Sequence, residues 1–315
     1  MTGTGTQIDP YIIMTADDLY SMDALGGSGI YFKLGANIDF NETAYAESFV
    51  SIPLKCAELD GNGYYIRNIY ANNPTGEASL FTLYSKAICG EEQTLKNLKT
   101  QNITLFGKST HFFGDSSGAG KLLLNNCELT CKFKATAEMT NGTSGYNGIL
   151  SSSNRRLHFY LCTLIIDADL FKTHPLWYGG SFSRSQMRLN LTVASGRSYT
   201  SSRESMLYQV DVNDSYFFGT ITQTGEAVSG SNDFVFAMSG VHTNSYQVIE
   251  YTNFSNVYYN ANFGSACFYD RTVAGNVPFK SANGSNFNLL YELSTAQCKD
   301  SAYLQSIGFL TEGTD

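Results

Sequence analysis

Ser79-Leu80-Phe81 returns as His111-Phe112-Phe113, Gly148-Ile149-Leu150, Gly180-Ser181-Phe182, Ser205-Met206-Leu207, Phe234-Val235-Phe236 and Ala266-Cys267-Phe268. Counted from Phe81 through Phe113, Ile149, Phe182, Met206, Phe236 and Phe268, the steps are 32, 36, 33, 24, 30 and 32 residues. A second series follows the first six, each a short strand of alternating apolar and polar residues: Leu98–Ile103, Leu124–Leu129, Phe159–Leu164, Met187–Thr192, Val210–Ser215 and Glu250–Phe254. Two series in phase at a period near 30 describe a repeat architecture, in which each unit buries its apolar side chains only by stacking on its neighbours. The reading is an all-β chain: a single-stranded right-handed parallel β-helix, a β-solenoid, with short capping helices at both ends.

Composition agrees. Of 315 residues 43% are hydrophobic but only 15% charged, less than helical surfaces use. The 21 Tyr, 21 Phe and 29 Gly suit strands and the tight turns between them. A net charge of -8 opposes nucleic acid as a partner, because phosphate binding needs a basic face. Seven Cys without a CxxC pair read as reduced, buried thiols, as in a chain folded in a reducing cytoplasm. No stretch is apolar enough to span a membrane, so no membrane insertion is expected. The start, Met1-Thr2-Gly3-Thr4-Gly5, has no basic or apolar leader and reads as lacking a secretory signal.

Both ends read as lids. Thr15 stands as the N-cap of a helix with Asp18 at its third position, a capping pair after the strand-like Ile12-Ile13. Leu293-Ser294-Thr295 opens a second short amphipathic helix through Leu304. The organisation expected is residues 1–28 as N-terminal cap, 29–271 as β-helix, and 272–315 as last coil and C-terminal cap.

Gly3-Thr4-Gly5-Thr6-Gln7-Ile8-Asp9-Pro10-Tyr11-Ile12-Ile13 with Thr15-Ala16-Asp17-Asp18-Leu19 resembles the entry segment of bacterial and phage β-helix proteins carrying GLUG-type repeats. Tyr31–Asp39, Leu59–Ile69, Ser79-Leu80-Phe81 and Leu95-Lys96-Asn97-Leu98 are similar to their later strands and turns. The likeness covers residues 1–107 and continues only as a rhythm. It implies a phage virion structural protein, on the tail, baseplate or capsid surface, made in a bacterial host's cytoplasm and serving host attachment or decoration. Other virion proteins and a host-surface glycan would be its partners, and a homotrimer its assembly, although no heptad stalk accompanies it. Alternatives are a polysaccharide-depolymerase tailspike and a bacterial cell-surface adhesin module.

Chemistry is sparse in the sequence. Gly114–Lys121 has the wrong spacing for a phosphate loop. His111, His158, His174 and His242 lack metal-ligand spacing, so neither metal nor cofactor is expected. The reading favours no enzymatic activity; a glycan hydrolase or lyase, the alternative, would need Asp167, Asp169, Asp211 and Asp214 gathered in one groove. Trp177, Tyr178, Tyr258 and Tyr259 are the candidate contact residues, since aromatic rings anchor sugars and interfaces. Strand alternation must turn half of such a set inward.

Overall fold

The computed structural model describes residues 1–43, 45, 47–115, 120–136, 148–152, 156–172, 176–195, 205–225, 233–254, 256–265, 267–270, 272–275, 279–280, 289–298 and 300–306. The protein is all-β in its main body, built on two 11-stranded sheets that the chain visits by turns. The first sheet runs from Tyr11–Ile13 through Gly27–Leu34, Cys56–Asp60, Glu92–Lys96, Lys121–Asn125, Arg156–Tyr160, Trp177–Ser183, Leu207–Asn213, Asp233–Thr243 and Asn256–Phe263 to Phe279–Lys280. The second runs from Ile38–Asp39 through Tyr65–Leu83, Lys99–Asp115, Glu128–Ala135, Thr163–Lys172, Gln186–Ser195, Tyr216–Gln223, Tyr246–Thr252 and Cys267–Asp270 to Leu290–Leu293, with Ile52–Leu54 paired beside it. Every pairing between these strands is parallel.

Register turns alternation into ladders. On the first sheet Tyr11, Phe32, Leu59, Leu95, Leu124, Phe159, Phe182, Val212, His242 and Phe263 stand one above the next. All but Tyr11 are buried. On the second sheet Leu129, Leu164, Met187 and Phe217 do the same. The two rows meet where Phe182 and Phe217 lie 5.2 Å apart, centroid to centroid. Burying each such side chain contributes about 1.5–3 kcal/mol, and no single pass could bury its own.

The corner from first sheet to second takes two residues in six successive passes. Its first residue is left-handed: Asn97, Asn126, Leu161, Arg184, Asp214 and Asn244 have φ between 45° and 54°. Asn and Asp tolerate that conformation; Leu161 and Arg184 occupy it at a cost. The amide of Asn126 donates to the Tyr160 carbonyl, and its side chain donates to Asn97 Oδ1 at 2.9 Å. The second corner residue is turned inward and buried: Leu98, Cys127, Cys162, Ser185, Ser215 and Ser245. Ser hydroxyls satisfy the backbone there, as where Cys162 N donates to Ser185 Oγ at 2.9 Å.

Thr15 and Asp18 form the expected capping box of the helix Ala16–Tyr20, and the Ile12 amide donates to the Thr2 carbonyl across the sheet edge. At the other end the expected single helix is two, Thr295–Cys298 and Ser301–Ser306. The second begins afresh because Asp300 Oδ1 accepts from the Tyr303 amide at 3.0 Å, an N-cap that the sequence pattern hid. Cys56, Cys89, Cys127, Cys131, Cys162 and Cys267 are buried, and none of these six is in a disulfide. Among the described residues no helix is long and apolar enough to cross a membrane.

Candidate functional site

The outer face of the second sheet carries four aligned rows. One is Thr163, Gln186, Tyr216, Tyr246, Phe268 and Tyr291; the next is Thr130, Ile165, Arg188, Phe218 and Val248. Beside them run Lys132, Asp167, Asn190, Thr220 and Glu250, then Lys134, Asp169, Thr192, Thr222 and Thr252. Alternation puts these outward, with Phe268 the buried exception at 1% exposure, because Leu164, Ile166, Met187, Leu189 and Phe217 between them point into the core.

The aromatic rows are ordered. Tyr216 lies against Tyr246 at 5.3 Å and 15°, and against Phe218 at 5.2 Å and 22°. Tyr291 stacks on Phe268 at 5.4 Å. Tyr216, Phe218 and Tyr246 are half-buried, so ring edges and phenol groups reach solvent at steps of the strand spacing, ~4.8 Å. The polar rows are tied down beside them. Asn190 Nδ2 donates to Asp167 Oδ1 at 2.7 Å, and Arg188 Nη2 lies 3.8 Å from the same oxygen. Arg188 Nε is buried without a hydrogen-bond partner.

The four aspartates named from the sequence are not gathered in one groove. Asp167 and Asp169 share this outer face, but Asp211 lies on the first sheet, opposite Ser181. Asp214 sits at a corner, where it accepts from Asn213 and Asn244. Asp211 Oδ1 is engaged by the Val241 amide at 2.8 Å. Separated by strand number and sheet, they cannot divide acid and base roles over one bond.

Trp177 is fully buried, its ring 5.1 Å from Phe159, and is a core residue. Tyr178 points out of the first sheet and packs on Tyr208 at 5.2 Å. Tyr258 is half-buried on a later strand of that sheet. The side chain of Tyr259 lies outside the described residues, as do 116–119 of the loop weighed for phosphate and all of His174. The candidate contact residues chosen from the sequence did not include Tyr216, Phe218, Tyr246, Arg188 or Asn190. The usable signal was the i, i+2 pair Tyr216 and Phe218 with another Tyr thirty residues on.

A second arrangement lies on the outer face of the first sheet. His158 and Ser181 are register neighbours, and His158 Nδ1 is 3.0 Å from Ser181 Oγ. Burial, with Lys121 and Arg156 nearby, holds the imidazole pKa below its ordinary value despite the opposing Glu92 and Asp211. The ring is therefore neutral at pH 7. Gly179 and Gly180 precede the serine, both at positive φ.

No family model matches the chain, and none of the curated proteins does. Among solved structures, a candidate immunoglobulin A1 protease from Bacteroides ovatus is similar over 97% of this chain and 90% of its own, at 13% identity and a TM-score of 0.44. The similar protein is bacterial and described as a protease, so the expected kinship with GLUG-repeat phage proteins and the virion role read from it are withdrawn, and with them the expectation of no enzymatic activity, which rested on the sparse catalytic chemistry. A likeness this distant transfers neither an activity nor a residue, so what the chain is similar to is a bacterial protein and what it does is read from its own surface.

Proposed function

We propose that the chain is one right-handed parallel β-helix that holds a polysaccharide along the outer face of its second sheet, as a surface-recognition module. Handedness follows from strand twist: connections between parallel strands of one sheet are right-handed in about 98% of cases. The observation that carries the binding reading is the aligned strip of Tyr216, Phe218 and Tyr246 beside the Asp167, Arg188 and Asn190 cluster. Sugars have apolar C–H faces and a rim of hydroxyls, and this surface offers both complements side by side. Its repeat, one strand spacing, is close to the advance of one pyranose along an extended chain.

Co-sedimentation with insoluble bacterial and mucosal polysaccharides, followed by titration of soluble oligosaccharides, tests it. Tyr246→Ala and Phe218→Ala, both outward-facing, are each expected to weaken binding about tenfold, the upper range for losing one aromatic contact. Retention of every glycan-binding constant in both variants, or no glycan bound at all, ends the reading.

The Ser181–His158 contact favours a second reading, acyl hydrolysis on the opposite face. Ser181 Oγ would attack an ester or amide carbonyl while His158 Nδ1 takes its proton and returns it to the leaving group. A fluorophosphonate probe is expected to label Ser181 and to lose most of that labelling in His158→Ala. An unlabelled Ser181 in the folded protein removes this reading and leaves the glycan face untouched.

A further inference from the structure

We propose that Cys127 and Cys162 form a peroxide-reactive thiol pair that closes to a disulfide and staples two successive passes. They occupy the same inward corner position one pass apart, directly before the register pair Glu128 and Thr163. The Thr163 amide donates to the Cys127 carbonyl at 2.8 Å. Neighbouring strands stand ~4.8 Å apart, inside the Cα separation of roughly 4.4–6.8 Å that a disulfide spans.

Each thiol lies within hydrogen-bond reach of backbone carbonyls, Cys127 Sγ 3.4 Å from the Leu95 oxygen and Cys162 Sγ 3.4 Å from the Leu124 oxygen, and the two are unequal. The neighbouring Cys127 thiol holds the Cys162 thiol below its ordinary pKa against the opposing effect of burial. The same contact and burial push Cys127 up. Of the two, Cys162 is the more readily deprotonated.

Both side chains are nearly sealed, at 2% and 1% exposure, and each residue is part of the lining of a surface hollow. One of about 260 Å³ opens between Asn97, Asn126 and Glu128 onto Cys127. The other, of about 350 Å³, opens between Leu161, Arg184 and Asp214 onto Cys162.

The steps balance. The Cys162 thiolate attacks one peroxide oxygen, the O–O bond breaks, and hydroxide leaves a sulfenic acid on Cys162. Cys127 then attacks that sulfur, the S–O bond breaks, and water departs with the Cys127 proton. Sulfur is oxidised and peroxide reduced.

Treatment of the folded protein with hydrogen peroxide, thiol blocking after unfolding, proteolysis and mass spectrometry tests the pairing. The expected product joins the peptides of residues 127 and 162, two hydrogens lighter than their sum. Cys127→Ser is expected to stop at a dimedone-trappable sulfenic acid on Cys162, whereas Cys162→Ser yields no trapped adduct at Cys127. Serine fills this corner position at Ser185, Ser215 and Ser245, so both variants have a tolerated side chain there. Two cysteines fully alkylated after peroxide, bridges to other cysteines, or no sulfenic acid in Cys127→Ser would each overturn the proposal.

Discussion

Gly219→Ala is expected to cost the fold about 4 kcal/mol or more, enough to leave much of the chain unfolded at 37 °C. Gly219 has φ +129°, and a Cβ there would sit 2.0 Å from the Leu189 carbonyl oxygen. Leu189 is its register partner on the preceding pass. The obstacle is backbone held by a parallel ladder, so it cannot swing aside as a side chain would. Gly180 faces the Leu157 carbonyl at the same 2.0 Å, and Gly180→Ala should behave alike. Gly63→Ala is the control. Its φ is +79° but nothing lies within 4 Å of the added atom, so only the backbone penalty of about 1 kcal/mol applies. Urea melts of the three variants separate the effects, and equal losses at all three would show that close approach of successive passes is not what selects these glycines.

Acid should weaken the protein through His242. It stands in the first-sheet ladder between Val212 and Phe263, with no exposure. Burial lowers its pKa to about 3, against a weaker upward pull from the Val210 carbonyl it bonds. The folded value lies below the unfolded one, so the unfolded chain binds the proton first. Stability is complete above pH ~6.5 and falls as pH drops toward the folded value, by roughly 3 kcal/mol at pH 4. His242→Leu fits the apolar ladder but leaves the Val210 carbonyl without its donor, costing about 1–2 kcal/mol at neutral pH. Wild type should therefore be the more stable at pH 7 and the variant at pH 4, with the curves crossing near pH ~5. His111, also buried and pushed down by desolvation, remains in both proteins and sets a shared slope. Parallel curves for the two proteins would refute the assignment to His242.

The period was legible because each pass needs the same apolar positions. Phe81 and Phe113, chosen from sequence as neighbours, pair in register with rings 5.8 Å apart. Phe182 was placed in that series wrongly: it pairs with Phe159 and Val212 in the middle of a first-sheet strand. Leu176 and Trp177 hold the place assigned to it, beside Leu150 and Met206. The second series mixed both sheets for a related reason. Phe159–Leu164 crosses a corner, because Leu161 occupies a left-handed position that an Asn would have advertised and a Leu conceals. Strands alternate identically on both sheets, so a pattern of period two cannot say which sheet it belongs to.

The outward site was less legible still. Burial can be read from hydrophobic spacing, but nothing local in Tyr216 or Tyr246 reports that their rings lie flat on one another. That depends on register between residues thirty apart, which only the sum of all intervening corners decides. Trp177 shows the converse. It carries the chemistry of a contact residue, and its parity on the strand sends it into the core.

From Gln186 to Tyr216 to Tyr246 the aligned positions advance by equal thirty-residue increments. Excision of such an increment at matched corners would bring Gln186 directly under Tyr246, swapping one polar-over-aromatic neighbour for another and leaving every hydrogen-bonding edge complementary. Length in this molecule is accordingly quantised: copying one increment lengthens the outer strip without a new interior.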